Sequence, residues 1–541
     1  EVTRFAPSPT GFLHTGSLFT AMIAHKIANQ SNGVFYVRLE DTDTKREIEG
    51  SGLSLLNQLK VFNVYPSEGY FGDHEKGDYG PYVQSQRASI YNTVIKELIR
   101  QNKAYPCFCT PEEIDEIRKV QEEQKLIPGY YGEYAKCRNL TPEQAMEKIK
   151  AGEKYVIRFK SNGNHLNKIT VKDYIRGNIE IAQNDMDIVI MKSDGLPTYH
   201  FAHAVDDHFM HTTIVTRGEE WISSLPIHVD LFKSIGWKAP KYAHLPVIMK
   251  LDNGNRRKLS KRKDNEAAVQ FFIENGYPCE SLLVYLMSIA NSNFEEWTLA
   301  NKSFDLSQFK YQLSKMSLDG ALFDIDKLNY FSKEVIAKLS AEELCKRVIE
   351  FSNLYNKDLY NRVMKDVNYF TSIINIDRNK DKPRKDFTTY NDTYSLTRFF
   401  YNDYYEMINE HHEFNENISK EDIINILKEV KDKLTTDGDE QSWFNIVKEI
   451  AIKYGFAESG KIYKANPELY KGTVGDVAEI LRIVFTSNKN SPTLFYIMKI
   501  LGKNETDKRI DYVIEKSEQF FGVHFKKIHL MFNIFFINII Q

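Results

Sequence analysis

The chain has 541 residues, 42% hydrophobic and 27% charged, the balance of a soluble globular protein and too long for one ordinary domain. A net charge of −3 gives no hint of nucleic acid, so any basic surface must be local and offset elsewhere. Five scattered cysteines exclude a disulfide framework and point to a reducing, cytoplasmic setting, and with Glu1 and Arg4 and no apolar run behind them no signal peptide is expected.

The first seventeen residues set the pattern. Val2 to Ala6 predicts a short strand, Pro7 to Gly11 a turn, and His14-x-Gly16-Ser17 the start of an amphipathic helix with Leu18, Met22, Ile23 and Ile27 on one face. Unpaired N–H groups and the helix dipole favour a phosphate there, Gly16 admits close approach, and His14 can donate a hydrogen bond without a full charge. Val34 to Glu40 predicts a buried strand completing a β-α-β unit, which sets Arg4 and Glu40 on one rim, where such sheets bind ligands. Tyr91, Val94, Ile95, Leu98 and Ile99 keep helical spacing behind Gly80-Pro81.

From Tyr105 to about Asp185 the character changes to an insertion with cysteines and a charged helix from Pro111. Ile188 to Met191 and Thr212 to Val215 then predict a return of the sheet, and Arg217-Gly218-Glu219-Glu220-Trp221 ends a strand and opens a helix. A basic run, Arg256 to Lys263, follows; alone it would read as a solvated loop. Beyond it the pattern is helical to the end, with Ser340 and Ser419 as caps and Ile423, Leu427, Val430 and Leu434 as a core stripe. Leu530 to Ile540 is apolar but shorter than the roughly 20 residues of a membrane helix, and is expected to dock on the core.

Taken together, His14-Thr15-Gly16-Ser17 and Lys258-Leu259-Ser260-Lys261-Arg262 resemble the paired signatures of class I aminoacyl-tRNA synthetases. Arg4-Phe5-Ala6-Pro7-Ser8-Pro9-Thr10-Gly11 is similar to the glutamyl/glutaminyl branch in particular. The resemblance implies an α/β Rossmann-like catalytic domain (1–104 and 186–255), an α+β insertion gripping the acceptor end (105–185), a stem-contact region (256–335) and an all-α anticodon-binding domain (336–541). It implies glutamate activation by ATP with Mg²⁺ and transfer to tRNA(Glu), with tRNA(Gln) left open, in a monomer without membrane attachment. Helices rather than β-barrels after residue 263 favour the glutamyl side.

By the same resemblance His14, Ser17, Lys258 and Lys261 serve catalysis, and Thr10, Gly16, Glu220, Trp221 and Lys261 the nucleotide. Arg4, Ala6, Ser8, Glu40, Tyr199, His203 and Arg217 are the expected glutamate site, the arginines because a guanidinium fork can hold a carboxylate at two points. His203 stands where many relatives have asparagine. For tRNA the candidates are Arg378, Arg384, Lys385, Arg482 and Leu494, with Arg482 suited to a base edge. Cys107-x-Cys109, and Cys137 after 27 more residues, resemble a zinc knuckle. Its usual last histidine is Asn139 here, leaving Tyr131, Glu133 or Tyr134 as substitutes. Competing readings are a relative that glutamylates a tRNA base, a nucleotidylyltransferase sharing His-x-Gly-x, and a tRNA-binding paralogue without catalysis.

Overall fold

Strand β1 (Val2–Phe5) lies parallel to β2 (Val34–Val37), and β2 to β3 (Glu68–Tyr70), with helix α1 (Thr15–Gln30) crossing between the first two. The apolar spacing of α1 is why it crosses there: Leu18, Phe19, Met22, Ile23 and Ile27 are all buried. The computed structural model describes residues 1–43, 48–318, 320–402 and 413–516. The apolar stretch Leu530 to Ile540 lies outside the described residues. The chain divides into one unit of Glu1–Glu274 with Cys279–Phe331, and a second of Asn275–Pro278 with the residues from Ser332 onward.

In the first unit, helix α2 (Ala88–Arg100) buries Tyr91, Val94, Ile95 and Leu98, while Ile99 at the end of the stripe stays exposed. The insertion opens with β4 (Ala104–Cys107), antiparallel to β5 (Val156–Phe159). One expectation changes here. Strand β6 (Val189–Met191) does not rejoin the parallel sheet but pairs antiparallel with β5. A short apolar run specifies a buried strand and not its partner. Parallel pairing resumes only with β7 (Ile214–Gly218) and β8 (Lys241–Leu245), where Arg217 is registered with His244. Helix α3 (Tyr199–Phe209) precedes β7 and helix α4 (Leu225–Ile235) follows it.

Two strands, β9 (Ile248–Asp252) and β10 (Asn255–Lys258), then form a hairpin. Asn253 and Gly254, with φ of 50° and 82°, make the two-residue turn, which needs left-handed backbone at both positions. The region beyond Lys263 is not wholly helical: Ala321–Leu322 adds a parallel strand to β9.

The second unit is helical. Ser340 caps Ala341–Tyr355 and Ser419 caps Lys420–Lys433, each accepting a backbone hydrogen bond three residues on. Ile423, Leu427, Val430 and Leu434 lie in one core with Trp443, Val447, Leu481 and Phe495. Leu494 belongs to that core at 5% exposure, so it cannot present its side chain to a base. Arg378 also departs from expectation. Its buried guanidinium donates to the carbonyls of Ile336 (2.7 Å), Leu339 (3.0 Å) and Ile374 (3.1 Å), tying the ends of two helices together. Arg384 pairs with Asp386 and donates to the Ser491 carbonyl, and Lys385 pairs with Glu334. Arg482, half-buried, donates to Ser491 Oγ at 3.1 Å.

Replacing Arg378 by alanine removes a buried hydrogen bond from each of those three carbonyls. The Arg378→Ala protein is expected to lose about 3 kcal/mol in urea unfolding.

Candidate active site

One cavity of about 1310 Å³ gathers most of the residues marked in the sequence. Arg4, Ala6, Ser8, Thr10, His14, Gly16, Ser17, Glu40, Tyr199, Arg217, Glu220, Trp221, Lys258 and Lys261 all line it.

His14 caps α1. Its Nδ1 accepts from the Gly16 N–H at 2.9 Å, which fixes the other ring nitrogen as the N–H donor. A Cβ at position 16 would sit 3.1 Å from that Nδ1, so the glycine guards the histidine's orientation as well as the approach of a ligand. Burial, and then the charges of Lys261 and Lys258, bring the His14 pKa down to about 4, so its imidazole is neutral at pH 7.

The basic run is joined to the same turn. Val269 N–H donates to the Leu13 carbonyl, Thr15 Oγ1 to the Glu266 carbonyl at 2.7 Å, and Lys261 Nζ to the Phe12 carbonyl at 2.7 Å. Within the run the arginines and lysines divide. Arg257 is structural: it grips Asp264 through both terminal nitrogens (2.6 and 2.8 Å) and Asp252 through Nε (2.6 Å). Asp264 also accepts from the Ser260 N–H at 2.9 Å, which sets the loop. Lys258 faces Glu220 at 3.5 Å, both well exposed.

At the other end lies a set of buried charges that the sequence left unread. Asp207 is fully buried; it accepts from Arg4 Nε at 3.2 Å and Arg38 NH1 at 2.9 Å. Burial opposes its ionisation, but the two guanidiniums hold its pKa well below the carboxylate range. Arg38 reaches on to Glu40 at 2.9 Å. Asp206 beside it accepts from Arg87 Nε (2.6 Å) and Tyr91 (2.8 Å). His203 is corrected by this arrangement. It lines no part of the cavity and is fully buried behind it, with Nδ1 2.6 Å from Asp207 and Nε2 3.1 Å from the Tyr242 hydroxyl. The i,i+4 spacing of His203 and Asp207 was the available signal. Tyr199 and Trp221 pack with ring centroids 4.2 Å apart, tilted by 31°, at the cavity wall.

In the insertion the thiols of Cys107, Cys109 and Cys137 lie within 4.8 Å of one another. The phenol that joins them is Tyr130, 3.4 Å from Cys107 Sγ and 3.3 Å from Cys109 Sγ. Tyr131 and Tyr134 instead donate to the Ile127 carbonyl and to Gln124. A hydrogen bond from Cys137 lowers the pKa of the Cys107 thiol.

Residues 2–330 match the family model described as tRNA synthetases class I (E and Q), catalytic domain, and residues 468–514 match an anticodon binding domain. The glutamate–tRNA ligase of Clostridium beijerinckii is 46% identical over 514 residues, covering 94% of this chain and 93% of that protein. That of Acetivibrio thermocellus is 43% identical, covering 95% and 94%. A crystal structure of a glutamate tRNA ligase from Elizabethkingia meningosepticum in complex with its amino acid matches with a TM-score of 0.76 at 28% identity, covering 95% of this chain and 99% of that one. No helix among the described residues is long and apolar enough to cross a membrane.

His14 and His203 are both held at about 4, against 6.5 for a free histidine. Between those values the unfolded chain binds more protons than the folded one, so stability falls as pH drops from 6.5 to 4. The urea midpoint of the first unit should fall across that window. The buried His203 contributes to that loss, and His203→Asn should flatten its share.

Proposed function

The chain belongs to the class I tRNA synthetases of the glutamyl and glutaminyl type, and from that premise we infer that it joins L-glutamate to the 3′ end of tRNA(Glu) with ATP, through a glutamyl-adenylate. The observation that carries the reading is the shared cavity: the His14 turn and the Lys258–Lys261 loop face one space with Arg4 and Arg217. The substrate's ionised α-carboxylate attacks the α-phosphate, forming an acyl–phosphate bond and expelling pyrophosphate. Little proton transfer is needed, so catalysis is alignment and neutralisation of charge on phosphate oxygens. In this reading Lys258, Lys261, the neutral N–H of His14 and the helix start at Gly16 and Ser17 supply it, with Thr10, Glu220 and Trp221 around the nucleotide. Magnesium would arrive with the nucleotide and would neutralise part of its phosphate charge.

Arg4 and Arg217 take the side-chain carboxylate, with Ala6, Ser8, Glu40 and Tyr199 around the rest of the amino acid. Glutamine would leave a buried guanidinium without its charged partner, a penalty of the kind that rejects analogues by about 10⁴-fold. Arg384 and Lys385 suit phosphates, and Arg482 suits an anticodon base. A monomeric state and a cytoplasmic setting, which suits five cysteines not joined as disulfides, complete the proposal, with charging of tRNA(Gln) left to the experiment below. A tRNA-base glutamylating relative would lack the helical anticodon-binding half, and retention of His14, Lys258 and Lys261 disfavours a silent paralogue.

Aminoacylation with labelled glutamate tests this. Wild-type protein should charge tRNA(Glu), and Lys261→Ala should lower kcat about 10²-fold or more. Failure of the folded wild type to charge tRNA(Glu) or tRNA(Gln) would sink the reading.

The three thiols and the Tyr130 phenol provide the four donors of a structural zinc site, and we propose that they hold one, cross-linking the insertion without entering the reaction. Elemental analysis should find about one zinc per chain. Cys109→Ser should lose it and lower the melting temperature, and Tyr130→Phe should weaken its retention against a chelator.

A further inference from the structure

The two arginines read as carboxylate-binding are held in opposite ways. Arg4 is compensated: its guanidinium lies against the ionised Asp207. Arg217 is 5% exposed, yet it is surrounded by neutral groups: the Tyr242 ring lies 4.9 Å from its guanidinium carbon, and its hydrogen bonds go to uncharged acceptors. Nε donates to His244 Nε2 at 3.0 Å, NH1 meets His228 Nδ1 at 3.1 Å, and NH2 reaches the Trp221 carbonyl at 3.5 Å.

The rest of the cluster fixes the tautomers. A guanidinium cannot accept, so each imidazole must offer a lone pair to it. His244 Nδ1 lies 2.7 Å from Asp173 Oδ2, which accepts the Nδ1–H, so the proton sits on that nitrogen and Nε2 is left as acceptor. Asp173 is itself held by the N–H groups of Ile175 (2.9 Å), Arg176 (2.8 Å) and His244 (3.0 Å). His228, accepting at Nδ1, carries its proton at Nε2, 3.0 Å from His200 Nδ1. Both rings are fully buried. Burial, with the neighbouring Arg217 charge, holds both below the ordinary histidine range, which keeps them neutral.

We propose that His228 and His244 are positioning residues for glutamate: acting as neutral acceptors on the Arg217 guanidinium, they fix its direction while leaving its charge uncompensated for the substrate's side-chain carboxylate. This rests on the reading of Arg217 as a substrate arginine. A carboxylate in either place would aim the guanidinium equally well but would cancel the charge that separates glutamate from glutamine. Arg4, already matched by Asp207, contributes hydrogen bonds and shape, and Arg217 contributes the net charge.

The test is steady-state aminoacylation of tRNA(Glu) by the full chain, with melting temperatures for each variant. His228→Leu and His244→Leu remove an acceptor and should raise the glutamate KM about ten-fold, with kcat and the ATP KM changing less. His228→Asn and His244→Gln restore a neutral acceptor near the original nitrogen and should return KM to within about three-fold of wild type. His228→Asp keeps an acceptor but adds charge, and should raise KM about ten-fold or more. Should a leucine variant fail to fold, the Asn and Asp variants at 228 decide. Wild-type KM in a folded His228→Asp protein would overturn the proposal. So would an Asn variant as impaired as the Asp one at equal melting temperature. Arg217→Ala separates the two levels: if it keeps the wild-type glutamate KM, the substrate reading of Arg217 fails first and the proposal falls with it.

Discussion

Asp207 is a carboxylate without solvent, gripped by Arg4 and Arg38 and touched by His203. These partners come from β1, from the chain just past β2 and from α3, so a single buried anion ties the first β-α-β unit to an element two hundred residues away. Such an arrangement is weak evidence for stability, since desolvating the charges offsets most of their attraction. Its value lies in direction: Arg4 meets the cavity at a fixed angle, and Arg38, fixed in turn, delivers Glu40 to the same wall.

The opposite end of the cavity depends on a hairpin. The Asn253–Gly254 turn sets the register of β9 and β10, and Arg257 then spends its donors on Asp252 and Asp264. Lys258 and Lys261 are thereby left for the cavity, with Lys261 resting on the backbone of the His14 turn. Their charges also help keep His14 neutral, so the turn adds no further cation beside the lysines. This polarity suits a reaction in which phosphate carries the developing charge and little proton transfer is required.

In the second unit, apolar spacing and serine caps dictate helices, and the core stripe is filled as the period requires. What the period cannot say is which basic residue remains for a partner. Arg378 and Arg384 stand six positions apart in one basic stretch, yet the former is consumed by three carbonyls while the latter stays partly exposed.

The sequence by itself determined the element types near the site, the pairing of the His14 turn with the Lys258–Lys261 loop, and the arginine at each strand end. Those are local patterns or long motifs, and neither needs a neighbour in space to be read. Only the tertiary structure decided that Val189–Met191 pairs within the insertion, that Arg257 is a strut, that Tyr130 is the phenol beside the thiols, and that His203 backs the cavity. It alone brought His228 and His244, from a helix and a neighbouring strand, against Arg217. A hydrogen bond's partner is fixed by distance and angle across the fold, and residues of the same type, spaced alike along the chain, carry no record of which of them that distance will select.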